Sequence, residues 1–456
     1  PATASSHITW TDERLLVFAD ALRRDASDLS LFQWWVAAGP VVPDSGLVGT
    51  RKEAPVVGLE PLPDGTYLAN GEPERPGTDP ATESIHLDGD AYQYGFRAQV
   101  TETGTLSFRK PNTVVFTPVT GFCFNPEQGE GGAEPAAYSW TWTHGTLSWH
   151  FREGGRCAGP GVPSAGRRWV LAPPGLLVVE STNLIATLRP GGYDLNELVD
   201  TGTRPNITPD WSPDGERIVY AGAQDDLDLY VMDADGGGNH PLIAEPGDQW
   251  MPTWSVDDRI AYAFDDLGDP EWTSGIAVVN ADGSGREVLF EVRNETVIAP
   301  YWSPDGSRLA FAVSHGTNAP STPFGVYVMD ADGSDLQEIF EGTGYGPAPA
   351  WTPDGRRLVI WADGDRGATL YSMRPDGSGV EPFLDRPPRY PTRAFDAPAK
   401  IPVTFLGIGW SPNGKWAVVS TPDGGGIWLL RGDGTGELYF VAWQTGVVWR
   451  PRPRAG

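Results

Sequence analysis

Trp211-Ser-Pro-Asp-Gly215 decides the fold, because the chain repeats it as Trp254-Ser-Val-Asp-Asp258, Trp302-Ser-Pro-Asp-Gly306, Trp351-Thr-Pro-Asp-Gly355 and Trp410-Ser-Pro-Asn-Gly414. Successive tryptophans stand 43, 48, 49 and 59 residues apart, the period of a four-stranded propeller blade with variable loops. Each copy leads into an apolar run such as Arg308-Leu-Ala-Phe-Ala312, and then into a second strand such as Gly325-Val-Tyr-Val-Met-Asp-Ala-Asp-Gly333. Its Asp-Gly suits a hairpin turn that needs positive φ. A last short strand, such as Arg286-Glu-Val-Leu-Phe290, closes the unit. A four-stranded blade has two apolar faces and can cover both only by stacking on neighbours around an axis. The repeated tryptophan is read as the wedge between blades.

These repeats resemble TolB-like, WD-related propeller repeats of bacterial envelope and secreted proteins, over residues 204 to 445. The resemblance implies a propeller fold, an envelope or secreted setting and protein partners. Fold analogy alone leaves the function open.

Two degenerate copies lie upstream. Ile8-Thr-Trp-Thr-Asp-Glu-Arg-Leu-Leu-Val-Phe-Ala19 repeats the tryptophan and first strand, and Gly175-Leu-Leu-Val-Val-Glu-Ser181 opens another, with Trp169 as a displaced leading tryptophan. The count predicts an all-β, seven-bladed β-propeller with an inserted small β-barrel domain. Its first blade lies in residues 1–58, the insertion in 59–168 and blades two to seven in 169–456, with Val447-Val-Trp449 closing the ring on the N-terminal copy. A tryptophan-bearing inner-strand pattern stands at both ends, one more than a closed ring needs.

The insertion breaks the period but remains rich in strands: Tyr92-Gln-Tyr-Gly-Phe96, Thr113-Val-Val-Phe-Thr117, Tyr138-Ser-Trp-Thr-Trp142 and Thr146-Leu-Ser-Trp-His-Phe151 alternate or are aromatic. Gly104-Thr-Leu-Ser-Phe108 and Gly145-Thr-Leu-Ser-Trp149 nearly repeat one another. With the Tyr-x-Trp strand and the Gly166-Arg-Arg168 end, the segment is similar to small lipocalin-like barrels attached to secreted bacterial proteins. Cys123 and Cys157 are the chain's two cysteines and both fall here, which points to a disulfide, two buried thiols being the alternative. Such a bond would stabilise by about 3 to 4 kcal/mol in the chain-entropy model.

Formal net charge is −27, from 33 basic and 60 acidic residues, which argues against a nucleic-acid surface. The apolar runs are strand-length, short of a membrane-spanning helix. Pro1-Ala-Thr-Ala-Ser-Ser6 shows no signal peptide, so we expect a processed chain of a secreted, extracellular or periplasmic protein. No nucleophile elbow, zinc helix, P-loop or Rossmann glycine set occurs, and no enzyme activity is expected. No cofactor is expected either, although the acidic loops around Asp225 and Asp226, Asp265 to Glu271, and Asp363 to Asp365 have the oxygen chemistry that calcium takes.

Function is expected at the mouth of the central channel, where loops lead into the inner strands. Candidate binding residues are Asn206, Gln249, Trp250, Asn294, Tyr301, Tyr345 and Phe405. Trp250 and Phe405 stand out as rings that could anchor a partner, with core packing as the competing role. The reading is a secreted or envelope binding protein that uses the propeller face and barrel for protein–protein interaction. The alternatives are a subunit of an extracellular polymer, self-associating through a spare strand, and a propeller lyase or hydrolase.

Overall fold

Each repeated phrase folds as a hairpin turn tied by its own side chains. In Trp211 to Arg217, Gly215 N–H donates to Ser212 O at 2.8 Å and takes φ 71°. The Ser212 hydroxyl donates to Asp214 Oδ1 at 2.6 Å and accepts from Arg217 N at 2.8 Å. Ser303 with Asp305 and Thr352 with Asp354 repeat the arrangement at 2.6 Å. The hydroxyl bond leads the causes that hold Asp305 down at about 2. The Asp of this phrase therefore serves a turn.

The computed structural model describes residues 5–11, 14–20, 64–73, 80–96, 99–109, 113–121, 135–143, 146–154, 168–172, 177–181, 184–189, 193–200, 206–223, 226–266, 272–315, 323–343, 348–364, 367–384, 408–420, 427–435, 439–442, 447–449 and 451. Every described element is a strand, turn or bend. The protein is all-β, with a propeller arrangement of four-stranded antiparallel sheets and one closed barrel.

Six four-stranded sheets occur among the described residues. Blade one holds Leu177–Ser181, Leu184–Arg189, Tyr193–Asp200 and Val447–Trp449. Blade two runs from Asn206–Trp211 to His240–Ile243, blade three from Asp248–Trp254 to Glu287–Arg293, and blade four from Thr296–Trp302 to Gln337–Thr343. Blade five runs from Ala350–Trp351 to Glu381–Pro382 and blade six from Ile408–Trp410 to Tyr439–Ala442.

Ring closure differs from the sequence expectation. Val447–Trp449 pairs with Leu177, Val178 and Val179, in the order Leu177 to Trp449 and Val179 to Val447. It is the inner strand of the blade at 177–200, not of an N-terminal blade. Trp449 opposite Leu177 repeats the register of Trp211 opposite Ile218, so the same local pattern meets the same second-strand partner. The N-terminal copy forms a two-stranded hairpin, Ser5–Thr11 paired with Arg14–Asp20. Among the described residues it joins none of the six sheets where a seventh blade was expected.

Each tryptophan wedges its blade against the one before. Trp211 packs with Ile185 of blade one, Trp254 with Val219 and Leu229 of blade two, Trp302 with Ala261 and Ile276 of blade three, and Trp351 with Ala310 and Val326 of blade four. A guanidinium from the preceding blade caps the ring: Arg217 over Trp254 at 4.7 Å, Arg259 over Trp302 at 4.8 Å, Arg308 over Trp351 at 4.7 Å.

The barrel closes on eight strands, from Gly65–Pro73 to Arg168–Leu171. Trp169, expected to lead a blade, lies in that last strand opposite Leu147 and is fully buried. Aromatic edges fill the barrel: Phe116 meets Tyr92 at 5.0 Å, Trp149 at 5.5 Å and Tyr138 at 5.7 Å, all near perpendicular. An eight-stranded barrel is narrow enough for side chains to fill. Cys123 and Cys157 lie outside the described residues.

Candidate binding site

The inner strands of blades two, three and four share a local irregularity that sets their side chains. Each carries an x-Pro-x-Trp sequence: Thr208-Pro-Asp-Trp211, Met251-Pro-Thr-Trp254 and Ala299-Pro-Tyr-Trp302. Proline cannot donate to a ladder, so it sits where pairing breaks. The registers shift there, between Ile207 and Asp210, Trp250 and Thr253, and Ile298 and Tyr301. The residue before each proline is left-handed, at φ 52°, 51° and 50° for Thr208, Met251 and Ala299. Three non-glycine residues at equivalent strained positions mark a feature held in place by its surroundings.

Those surroundings are bonds between blades. Met251 N–H donates to Thr208 Oγ1 at 3.1 Å, and Ala299 N–H donates to the Met251 sulfur at 2.9 Å. Asp210 accepts from Trp211 N–H at 2.9 Å and, across the blade boundary, from Trp254 N–H at 2.7 Å. Burial pushes the Asp210 carboxyl up to about 7 against these bonds and one from Thr253. The groups acting on it are amide and hydroxyl donors rather than cations. Tyr301, two blades away, has its phenol pushed up, first by burial and then by the charge of Asp210. Asp210 and Tyr301 both keep partial solvent contact, and the Tyr301 hydroxyl makes no hydrogen bond to a described residue. Three blades thus bring a carboxylate, a hydroxyl and a phenol together beside the inner strands, which touch one another from blade to blade.

Of the residues picked from sequence, Tyr301 joins this cluster. Gln249 is 2% exposed, and its amide donates to Glu245 O at 3.1 Å and Gly247 O at 2.7 Å while accepting from Glu245 N. It fastens its own turn. Trp250 stands opposite Ala263 and is 9% exposed, within the core cluster that also holds Ile298 and Ala299 of blade four, which is the packing role. Asn294 is an exposed turn residue at φ 57°. Asn206 begins its strand opposite Gly222. Tyr345 and Phe405 lie outside the described residues, as do Asp225, Asp269, Glu271 and Asp365. Among the described residues no three acidic, histidine or cysteine side chains group as metal ligands, and no helix is long and apolar enough to cross a membrane.

Sequence reading missed Asp210, Thr253 and the Thr208–Met251 link. A signal was present: between a repeated Pro and a repeated Trp, one position changes from Asp210 to Thr253, Tyr301 and Ala350. Variation at a fixed register inside a repeat marks a position that stacking alone does not dictate.

Ringed four-stranded sheets whose inner strands carry a varied polar cluster define an all-β propeller protein. More particularly, this chain carries a TolB-like β-propeller. It is 31% identical over 163 residues to an uncharacterized protein of Agrobacterium fabrum, covering 34% of this chain and 54% of that one. It is 30% identical over 145 residues to the Tol-Pal system protein TolB of Bordetella pertussis, covering 23% of this chain and 33% of TolB. The matches thus span about half the length of the first relative and a third of the second. The crystal structure of TolB from Acinetobacter baumannii aligns over 70% of this chain and 79% of its own, at 14% identity and a TM-score of 0.45. No family model matches the chain.

Proposed function

We propose that this is a non-enzymatic binding protein of the bacterial envelope or secreted space, with the axial face of its propeller as the main contact for a protein partner. The observation that carries the reading is the three-blade cluster of Asp210, Thr253 and Tyr301, with a phenol that makes no hydrogen bond to a described residue. A partner group placed there would meet an acceptor and a donor held rigidly by the strands around them. The TolB-like repeats support the envelope setting and a protein as partner. The barrel, similar to small lipocalin-like barrels, is the second interaction module in this reading; its interior is occupied by its own aromatics, so its contacts are external. Asp210 has both oxygens engaged with backbone amides, a stitching role that speaks against its use as an acid or base in catalysis.

The test is site-directed photo-cross-linking in envelope extracts. A photoreactive phenylalanine at Tyr301 should capture a defined protein that the same group at exposed Val288 does not. Tyr301→Phe should weaken binding of that protein by about 1 to 3 kcal/mol. Equal capture at both positions would remove the axial face as the contact.

A further inference from the structure

Between blades four and five lies an open cleft of about 650 Å³, within the size range of ligand sites. Charged side chains from both blades line it: Arg308, Asp330 and Asp335 from blade four, Arg356, Arg374 and Asp376 from blade five. The repeat lets each be compared with its counterparts in the same chain. After the Gly of the tryptophan phrase, blades two and four carry Glu216 and Ser307, whereas blade five carries Arg356. At the head of the Asp-Ala-Asp-Gly turn, blades two, three and four carry Asp233, Asn280 and Asp330, whereas blade five carries Arg374. Two positions that are acidic or neutral in blades two to four are therefore basic in blade five, and they stay basic in blade six as Lys415 and Arg431, so this cleft lies where the acidic blades give way to the basic ones.

A third departure is conformational. Blades two, three and five place Gly238, Gly285 and Gly379 in the left-handed region, at φ 62°, 68° and 66°, near the end of the same turn. Blade four places Asp335 there, at φ 52°, in a conformation that favours glycine. The side chain placed there adds a carboxylate that lines the cleft. Strain kept at one copy of a repeated turn points to use.

The charges around the cleft are only loosely engaged with one another. Arg308 stands with its guanidinium carbon 4.7 Å from the centre of the Trp351 ring. Arg356 reaches Asp354 only at 3.9 Å, with its side chain 85% exposed. Arg374 donates to the neutral Ser378 hydroxyl at 3.2 Å. Leu336, between two lining residues, is 44% exposed and offers an apolar rim.

We propose that this cleft is a docking site for an acidic segment of a protein partner. Guanidinium groups take its side-chain carboxylates, and Asp330, Asp335 and Asp376 take its backbone N–H groups. A free phosphate brings acceptors alone and would be repelled by those three carboxylates, so a peptide fits the mixed lining better. In a chain of net charge −27 an acidic partner is turned away from most of the surface, which makes the three guanidinium groups gathered in this cleft a selective contact.

The experiment measures binding of a capped peptide of alternating Glu and Gly to the full chain at low ionic strength. The parent should bind it, and Arg356→Ser with Arg374→Asp, residues that other blades carry at those positions, should weaken binding at least about tenfold. Asp335→Gly should weaken it about threefold while leaving the melting temperature equal or higher. The Lys and Gly counterpart should not bind, and inorganic phosphate should not compete. Tyr301→Phe should leave this binding unchanged, which separates it from the axial site. Parent and double variant binding alike, no binding by the parent, or displacement by phosphate would each overturn the proposal.

Discussion

Glu102 in the barrel and Asp210 in the propeller are both carboxylates drawn into the protein beside a tyrosine, yet they are engaged by different means. In the barrel, Tyr92 donates to Glu102 Oε1 at 2.7 Å, a side-chain pair on neighbouring strands of one continuous sheet. In the propeller, Asp210 takes the backbone N–H of Trp254 in the next blade. Other bonds between blades follow suit: Leu227 N–H to Asp248 at 2.9 Å and Met251 N–H to Thr208 across the same boundary, and Val297 N–H to Ser274 Oγ at 2.8 Å across the next. A closed sheet carries its ladder all the way round. Separate sheets have no ladder between them, so short polar side chains on or beside the inner strands must serve.

That contrast can be broken most forcefully at the one point where the propeller does use a ladder to close. Removing the chain from Val447 onward frees the edge of Leu177–Ser181 and should cost the propeller about 2 to 4 kcal/mol, read as a lower melting transition. Removing residues 1–20 should leave that transition in place. A truncated ring that melts like the parent would show that the tryptophan wedges alone hold it shut.

The barrel should respond to crowding rather than to loss of an edge. A Cβ added at Gly104 would collide with the Thr117 carbonyl oxygen and the Tyr92 ring. Gly104→Ala should therefore destabilise the barrel by about 1 to 3 kcal/mol without moving the propeller transition. Differential scanning calorimetry would resolve the two, and a shift of both would contradict separate cores.

The smallest effect is the most specific. Asp210 releases its proton near 3.8 when unfolded and near 7 in the fold, so the native state binds more protons between those values and its stability falls as pH rises through them. Asp265, pushed up to about 6 by burial first, acts in the same sense over a narrower window. Asp210→Asn should remove the first contribution, making the variant more favourable relative to the parent at pH 8 than at pH 4 by about 1 to 2 kcal/mol. A difference that stays constant with pH would mean the carboxylate is charged throughout.

The repeat was legible because Trp, Pro, Asp and Gly act within a few residues: the turn is closed by bonds that all fall between Ser212 and Arg217. The blade count was not. Ile8-Thr-Trp10 and Val447-Val-Trp449 carry the same inner-strand pattern, and nothing local says which second strand either will meet. Trp169 misled for a related reason, since a tryptophan in a β-rich stretch suits a barrel interior as well as a blade. At the site, Gln249 and Trp250 looked available because a loop position does not reveal that an amide is bound to its own turn or a ring packed between two sheets. Asp210 was passed over because a carboxylate next to Trp211 reads as surface until Trp254 and Tyr301 are brought to it from 44 residues away and more.

By itself the sequence determined that this protein is all-β, that its strands come in stacked four-stranded units, and that a tryptophan would wedge each unit. Those outcomes follow from turn chemistry and apolar periodicity, which act over short stretches of chain. The tertiary structure decided that Val447–Trp449 completes the blade at 177–200, that Trp169 belongs to the barrel, and that Asp210 meets Thr253 and Tyr301 while Asp335 lines one cleft with Arg356 and Arg374. Those pairings depend on which sheet lies beside which, and that is settled only when the blades pack together.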